Sequence, residues 1–268
     1  MTFHRMLTLL FLLVTTIPYL ESLQNSKLHL EELTGILSSS IFPPSTNPKE
    51  LYISASSVYK IENGALCTPS LERIHLEDNS FPKLTKHSFG NCPCLKTLAL
   101  VHNYGLKFSV DTFSNFPNLT ELAFVEQSVP HVTRELFRNL TSLKGLSIIC
   151  ASVEKIDEGA FSDLKNLEEL SLGENALKTL DGVLTPNLHK LRMLLLDYNN
   201  LETFPWSDLE NVKNLEYLAL SNNKISHVDA KKVSRLAKLR SFDLSSNPLQ
   251  PQTVDCVRQM LNSSVVSV

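Results

Sequence analysis

Three kinds of side chain in this sequence could do chemistry: the carboxylate pair Glu169 and Glu174, the imidazoles of His75 and His102, and the thiols of Cys92 and Cys94. Paired carboxylates perform acid and base work when burial pushes their pKa values apart, and nothing in an open surface is expected to raise one of these. They suit electrostatic complementarity to a basic partner better. The two imidazoles read as solvated surface groups. A C-x-C fragment can begin a metal site, yet no His or Cys set at zinc spacing accompanies it. The chain has no phosphate-cradling glycine loop, no H-E-x-x-H and no nucleophile elbow. The expectation is therefore a protein that is not an enzyme and takes no cofactor and no metal.

The elements that must position these groups follow from a repeat. Leu71, Leu95, Leu119, Leu143, Leu167, Leu191, Leu215 and Leu239 are each 24 residues apart. Three and five residues after each comes an apolar pair, such as Leu98 with Leu100 or Leu170 with Leu172. Residues two apart share one face of a strand, so each turn adds one strand to a parallel sheet. Eight positions into the turn, Asn79, Asn103, Asn175, Asn199, Asn223 and Asn247 recur, placed to bond backbone groups of neighbouring turns. A second apolar set, such as Val132, Phe137 and Leu140, packs against the strand leucines from behind. One such wedge cannot bury itself, so stability comes from stacking. Gln127 and Ala151 stand where two asparagines are missing, and Tyr104, Gly105 and Leu106 fit their template poorly, which predicts irregularity in the middle.

The runs LEELSLGENALKTL from Leu167 and LEYLALSNNKI from Leu215 resemble the extracellular leucine-rich-repeat family that includes Toll-like receptor ectodomains, Slit-type guidance proteins and arthropod immune repeat proteins. The resemblance implies an α/β solenoid, a leucine-rich-repeat horseshoe with a parallel concave β-sheet and an irregular or short helical convex side. About nine turns span residues 48–249, the first of them degenerate. Residues 23–47 form an N-terminal cap and connector, and residues 250–268 a C-terminal cap helix and tail in which Val254, Val257 and Leu261 share a face. Neither end carries the cysteine cluster common in the family.

Residues 1–22 read as a secretory signal peptide, with His4 and Arg5 before the apolar run from Met6 to Val14. No later segment is apolar enough to span a membrane, so the expected product is secreted and extracellular. Sequons at Asn118, Asn139 and Asn262 agree with that route. Five cysteines are an odd number. Cys67 is expected to pair with Cys92 or Cys94, which fall at nearly equivalent places in adjacent turns. Cys150 is read as a buried thiol. Cys256 is either buried in the cap or a disulfide tether to a second chain, so a disulfide-linked or non-covalent oligomer stays open.

The third, fifth, seventh and eighth positions of each turn face away from the core and line the concave surface. They are rich in acids, among them Glu50, Glu121, Glu126, Glu169, Glu174 and Asp197, against one strong base, Arg73. An apolar track joins them through Val125, Ile149, Met193, Tyr198 and Tyr217. The expected partner is a protein ligand on this face, anchored by Met193, Tyr198 and Tyr217 and steered by Glu121, Glu169 and Asp197. A net charge of -3 provides no footprint for nucleic acid. The leading reading is a secreted recognition protein of innate immunity or ligand capture. A matrix or adhesion component, and a soluble fragment or decoy of a larger receptor, are the alternatives.

Overall fold

A computed structural model describes residues 26–43, 46–261 and 265–268. The leader at 1–22, the first residues of the cap and the Asn262 sequon lie outside the described residues. The chain divides into two compact units, residues 1–116 and 117–268.

In the first unit, β1 (Lys27–Glu31), β3 (Glu50–Ser54), β5 (Arg73–Glu77) and β6 (Thr97–Val101) pair in parallel. Between them β2 (Thr34–Leu37) and β4 (Ser57–Ile61) form a second small parallel pair, and helix α1 spans Lys86–Phe89. The register Leu28↔Leu51↔Ile74↔Leu98 stacks one buried apolar side chain per turn, and Leu30, Ile53, Leu76 and Leu100 do the same two residues on. The N-terminal cap element is thus one more strand of the repeat: Leu28 and Leu30 alternate as the later pairs do and occupy the same two rows. Phe89, Phe113 and Phe116 fill the space behind the strands, with Phe89 edge-on to Phe116 at 5.1 Å between ring centres. Cys67 is bonded to Cys92, 25 residues on, across a Cα separation of 6.0 Å. Closing a loop of that length stabilises by about 3 kcal/mol in the chain-entropy picture.

In the second unit β7 (Glu121–Val125), β9 (Gly145–Ile149), β11 (Glu169–Ser171), β12 (Met193–Leu195), β13 (Tyr217–Ala219), β14 (Ser241–Asp243) and β15 (Val266–Ser267) form a parallel ladder. The other side is irregular: the two-residue strands β8 (His131–Val132) and β10 (Lys155–Ile156), three short 3₁₀ segments, and helix α2 (Ala230–Val233). Helix α3 (Pro251–Met260) buries Thr253 and Val257 while Val254 and Leu261 are half-buried, so the buried face is narrower than its apolar spacing implies. The expected tail is a strand: Val266 lies beside Phe242, and β15 continues the ladder past β14.

Each turn leaves its strand through a residue in the left-handed region. Asp78, His102, Glu126, Cys150, Glu174, Tyr198, Asn222 and Ser246 have φ between 49° and 58°, and none is glycine. The asparagine that follows holds this corner. Asn199 Nδ2 donates to the Leu172 carbonyl of the previous turn at 2.9 Å and its Oδ1 accepts from Leu177 N at 3.1 Å; Asn175, Asn223 and Asn247 repeat the arrangement. Where Ala151 replaces the asparagine, Asn175 Oδ1 still accepts from Ala151 N and Val153 N, both at 3.0 Å. Glu121 to Val125 keeps an unbroken register with Gly145 to Ile149. The sheet register of this pair of turns is regular: at Ala151 the next turn's Asn175 meets the amides, and at the Gln127 turn the amides of Glu126 and Val129 donate to the backbone carbonyls of Ile149 and Ala151 at 3.0 and 2.8 Å.

Candidate recognition surface

All eight residues expected to bind a partner lie in the second unit, on the sheet face turned away from the core. The register Glu121↔Gly145↔Glu169↔Met193↔Tyr217 makes a row across five strands. Val125 lies beside Ile149 in a second row, both half-buried. Asp197 and Tyr198 follow β12 after the buried Leu196. Tyr198 is 60% exposed and Tyr217 37%, so two rings stand in solvent beside a half-buried Met193.

Gly145 shapes the acidic end of this row. It has no side chain, and the Glu121 carboxylate lies across the space that a Cβ there would fill. Burial against β9 raises the Glu121 pKa, and the charges of Glu169 and Glu168 raise it further. Glu121, which the reading of the Glu169 and Glu174 pair did not cover, is perturbed because a neighbouring glycine lets its side chain lie down on the sheet. Asp197 is partly engaged inside the protein: its Oδ1 accepts from Ser221 N at 3.1 Å and from Ser221 Oγ at 2.7 Å. Cys150 is half-exposed at its left-handed corner, not buried, and donates to Glu174 Oε2 at 3.1 Å. That contact with a carboxylate, aided by desolvation, pushes its pKa up to about 11.

On the first unit's face Glu50 is buried, 6% exposed, between Lys27 and Arg73. The Arg73 guanidinium holds its carboxyl down at about 2. It is an internal ion-pair centre and not a free acid, and Lys27 adds a second base beside Arg73. His75 and His102 each find a carboxylate, Glu77 at 3.1 Å and Asp78 at 2.6 Å. His29 stacks on Tyr52 at 4.4 Å, and Tyr52 tilts against His75 at 5.6 Å. The residues stand 23 apart, a spacing that an alignment on 24 misses.

Sequence reasoning also missed a ladder of charge at the second position of the turns from Lys144 to Arg240. Glu168 lies 3.6 Å from Lys144 and 3.8 Å from Arg192, and Glu216 lies 2.7 Å from Arg192 and 3.3 Å from Arg240. Its signal was present as alternating sign at 24-residue spacing. Glu72 sits likewise between Lys49 and Lys96 in the first unit, which hold its pKa down at about 2.

Asn118 and Asn139 are exposed. Cys94 is free and exposed; Cys256 is free and half-exposed on α3, with its Sγ 4.0 Å from Met260 Sδ. Among the described residues no group of three or more His, Cys, Asp or Glu could hold a metal ion, and no helix is long and apolar enough to cross a membrane.

Comparison with known proteins agrees with this geometry. Residues 141–201 and 189–249 match the family described as Leucine rich repeat, and residues 19–144 match the BspA type Leucine rich repeat region. Among solved structures, a chain of a TLR13 complex with ssRNA13 aligns at 26% identity and a TM-score of 0.72, over 80% of this chain and 30% of that one. This chain thus spans less than a third of the TLR13 chain. A chain of the octameric complex of Latrophilin 3, Unc5D and FLRT2 aligns at 20% identity and 0.66, over 90% and 82%. The internalin inlF of Listeria monocytogenes aligns at 19% and 0.54, over 81% and 66%. No curated protein matches the chain in sequence. With its repeat matched along both units, its asparagine corners and its parallel one-strand turns, the chain belongs to the leucine-rich-repeat family.

Proposed function

We propose that this protein is an extracellular recognition module that binds a protein ligand on the sheet face of its second unit, in innate immunity or ligand capture, and acts by occupancy without catalysis. The observation that carries the reading is the row Glu121, Glu169, Met193 and Tyr217. Among the described residues neither carboxylate has a cation within ion-pair distance, whereas Glu50, Glu72, Glu168 and Glu216 all do. Unpaired acids beside exposed tyrosines provide steering charge and anchoring rings together. Val125 and Ile149 extend the apolar part, and Tyr198 adds a second ring past β12. A further point supports the reading: the sequons at Asn118 and Asn139 lie outside the strands that carry this row.

The test is capture from native extracellular fluid by the secreted protein beside a variant carrying Tyr198→Ala, Tyr217→Ala and Glu169→Lys. Truncating two anchoring rings costs about 2 kcal/mol or more each. A specific protein retained by the wild type and lost by the variant, at equal thermal stability, is the expected result. Equal retention by both removes the function from this face.

A further inference from the structure

The second unit carries a basic edge that the near-neutral net charge conceals. It lies where the chain enters the strands, beside the acidic sheet face. Lys190, Arg192 and Lys238 line a shallow cavity of about 310 Å³ with Asn214, Glu168 and Glu216. Lys144 and Arg240 flank it through their contacts with the same two glutamates. Five exposed cations thus meet two carboxylates, and Glu216 is buried, 8% exposed, and neutralised from both sides by Arg192 and Arg240. Lys165 and Lys213, exposed and one residue before Asn166 and Asn214, add to the excess.

The way these cations are held matters as much as their number. Lys190 Nζ donates to Asn166 Oδ1 at 2.6 Å and Lys238 Nζ to Asn214 Oδ1 at 2.8 Å. A neutral amide fixes each ammonium in place and leaves its charge uncompensated, where a carboxylate would have cancelled it. Turns stack about 4.8 Å apart, so Lys190 and Lys238, two turns apart, lie about 10 Å apart in a straight line. We propose that this edge binds a linear sulfated polysaccharide running along the stacked turns. Fixed, regularly spaced cations match an extended polyanion by charge complementarity. Single-stranded nucleic acid, the other linear polyanion, is bound by stacking its bases on aromatic rings, and the residues lining the cavity are only Lys, Arg, Glu and Asn. The site is separate from the protein-binding face and stands whether or not that reading holds.

The test uses the full secreted protein and a heparin-derived octasaccharide, titrated at about 50 and 150 mM salt, with a single-stranded RNA of equal charge as the competing probe. Lys190→Glu, Lys213→Glu and Lys238→Glu together should weaken octasaccharide binding by on the order of tenfold or more at the lower salt and flatten its salt dependence. A control variant with Lys83→Glu, Lys107→Glu and Lys178→Glu, equal in charge change, should bind as the wild type does. Arg in place of the three edge lysines should retain binding, which keeps the test valid if the glutamate variant folds poorly. Equal loss in the control, no loss in the edge variant, or tighter binding of RNA than of the octasaccharide would overturn the proposal.

Discussion

At Cys150 a thiol sits in the open and yet is shielded from reaction. The thiolate is the nucleophile, and the Glu174 carboxylate beside it disfavours that form, holding the pKa at about 11. Cys94 is exposed with no such contact among the described residues. Iodoacetamide at pH 7.5 should therefore label Cys94 well before Cys150, as read by peptide mass spectrometry. Glu174→Gln should speed labelling of Cys150 severalfold by removing the charge. Labelling of Cys150 first would refute this account of the corner. The neighbouring residue in sequence terms, Ala151, shows the same lesson from the other side: its own amide is satisfied by Asn175 from the turn that follows.

The element that recurs is the corner where each strand ends. A non-glycine residue in the left-handed region costs on the order of 1 kcal/mol, and every full turn accepts that cost. Where an asparagine is next in line, it offsets that cost by bonding backbone groups of its own turn and the turn before. Asn199→Ala would strip the Leu177 amide of its acceptor inside a buried site, while the Leu172 carbonyl keeps its bond from Asn175 Nδ2 at 2.9 Å. Leaving such groups unmade costs about 1–3 kcal/mol. Urea unfolding should show a lower midpoint for Asn199→Ala, while Asn222→Gly should lose less, because glycine accepts the left-handed backbone and the Asn222 Nδ2 makes only one long bond, 3.3 Å, to Ser221 Oγ.

Across the whole molecule, charge is sorted by position in the turn. Acids at the second position are clamped between cations of the turns before and after, whereas Glu121 and Glu169 on the second unit's sheet face have no ion-pair partner among the described residues. Those second-position acids, together with Glu50 at the third position between Lys27 and Arg73, make a pH prediction. Glu50 and Glu72 have folded pKa values of about 2, against an ordinary value of 4.5, and Glu216 is lowered by the adjacent Arg192. The folded state binds these protons less readily than the unfolded one, so the contribution is fully present above pH 4.5 and is lost as pH falls toward 2. The thermal midpoint should hold steady from pH 7 to 5 and drop below pH 4.5, and Glu50→Gln should lower the neutral-pH midpoint while shrinking the acid drop. Glu121 runs the opposite way. Its raised pKa means that protonation on mild acidification favours the folded state slightly, so Glu121→Gln should leave neutral-pH stability unchanged or higher.

What the sequence by itself determined was the turn. A 24-residue period with apolar residues at three fixed places admits one kind of backbone, because every turn must bury the same side chains against its neighbours. The strand rows, the asparagine corners and the residues of the candidate face were legible for that reason. Only the tertiary structure decided where the polar groups go. Lys190 meets Asn166, Glu216 meets both Arg192 and Arg240, and Glu121 lies over Gly145 because partners are set by what stands one turn away and by which rotamers remain open there. The same holds for β15, whose short, weakly patterned sequence becomes a strand because the edge at β14 offers it hydrogen bonds that water would otherwise supply.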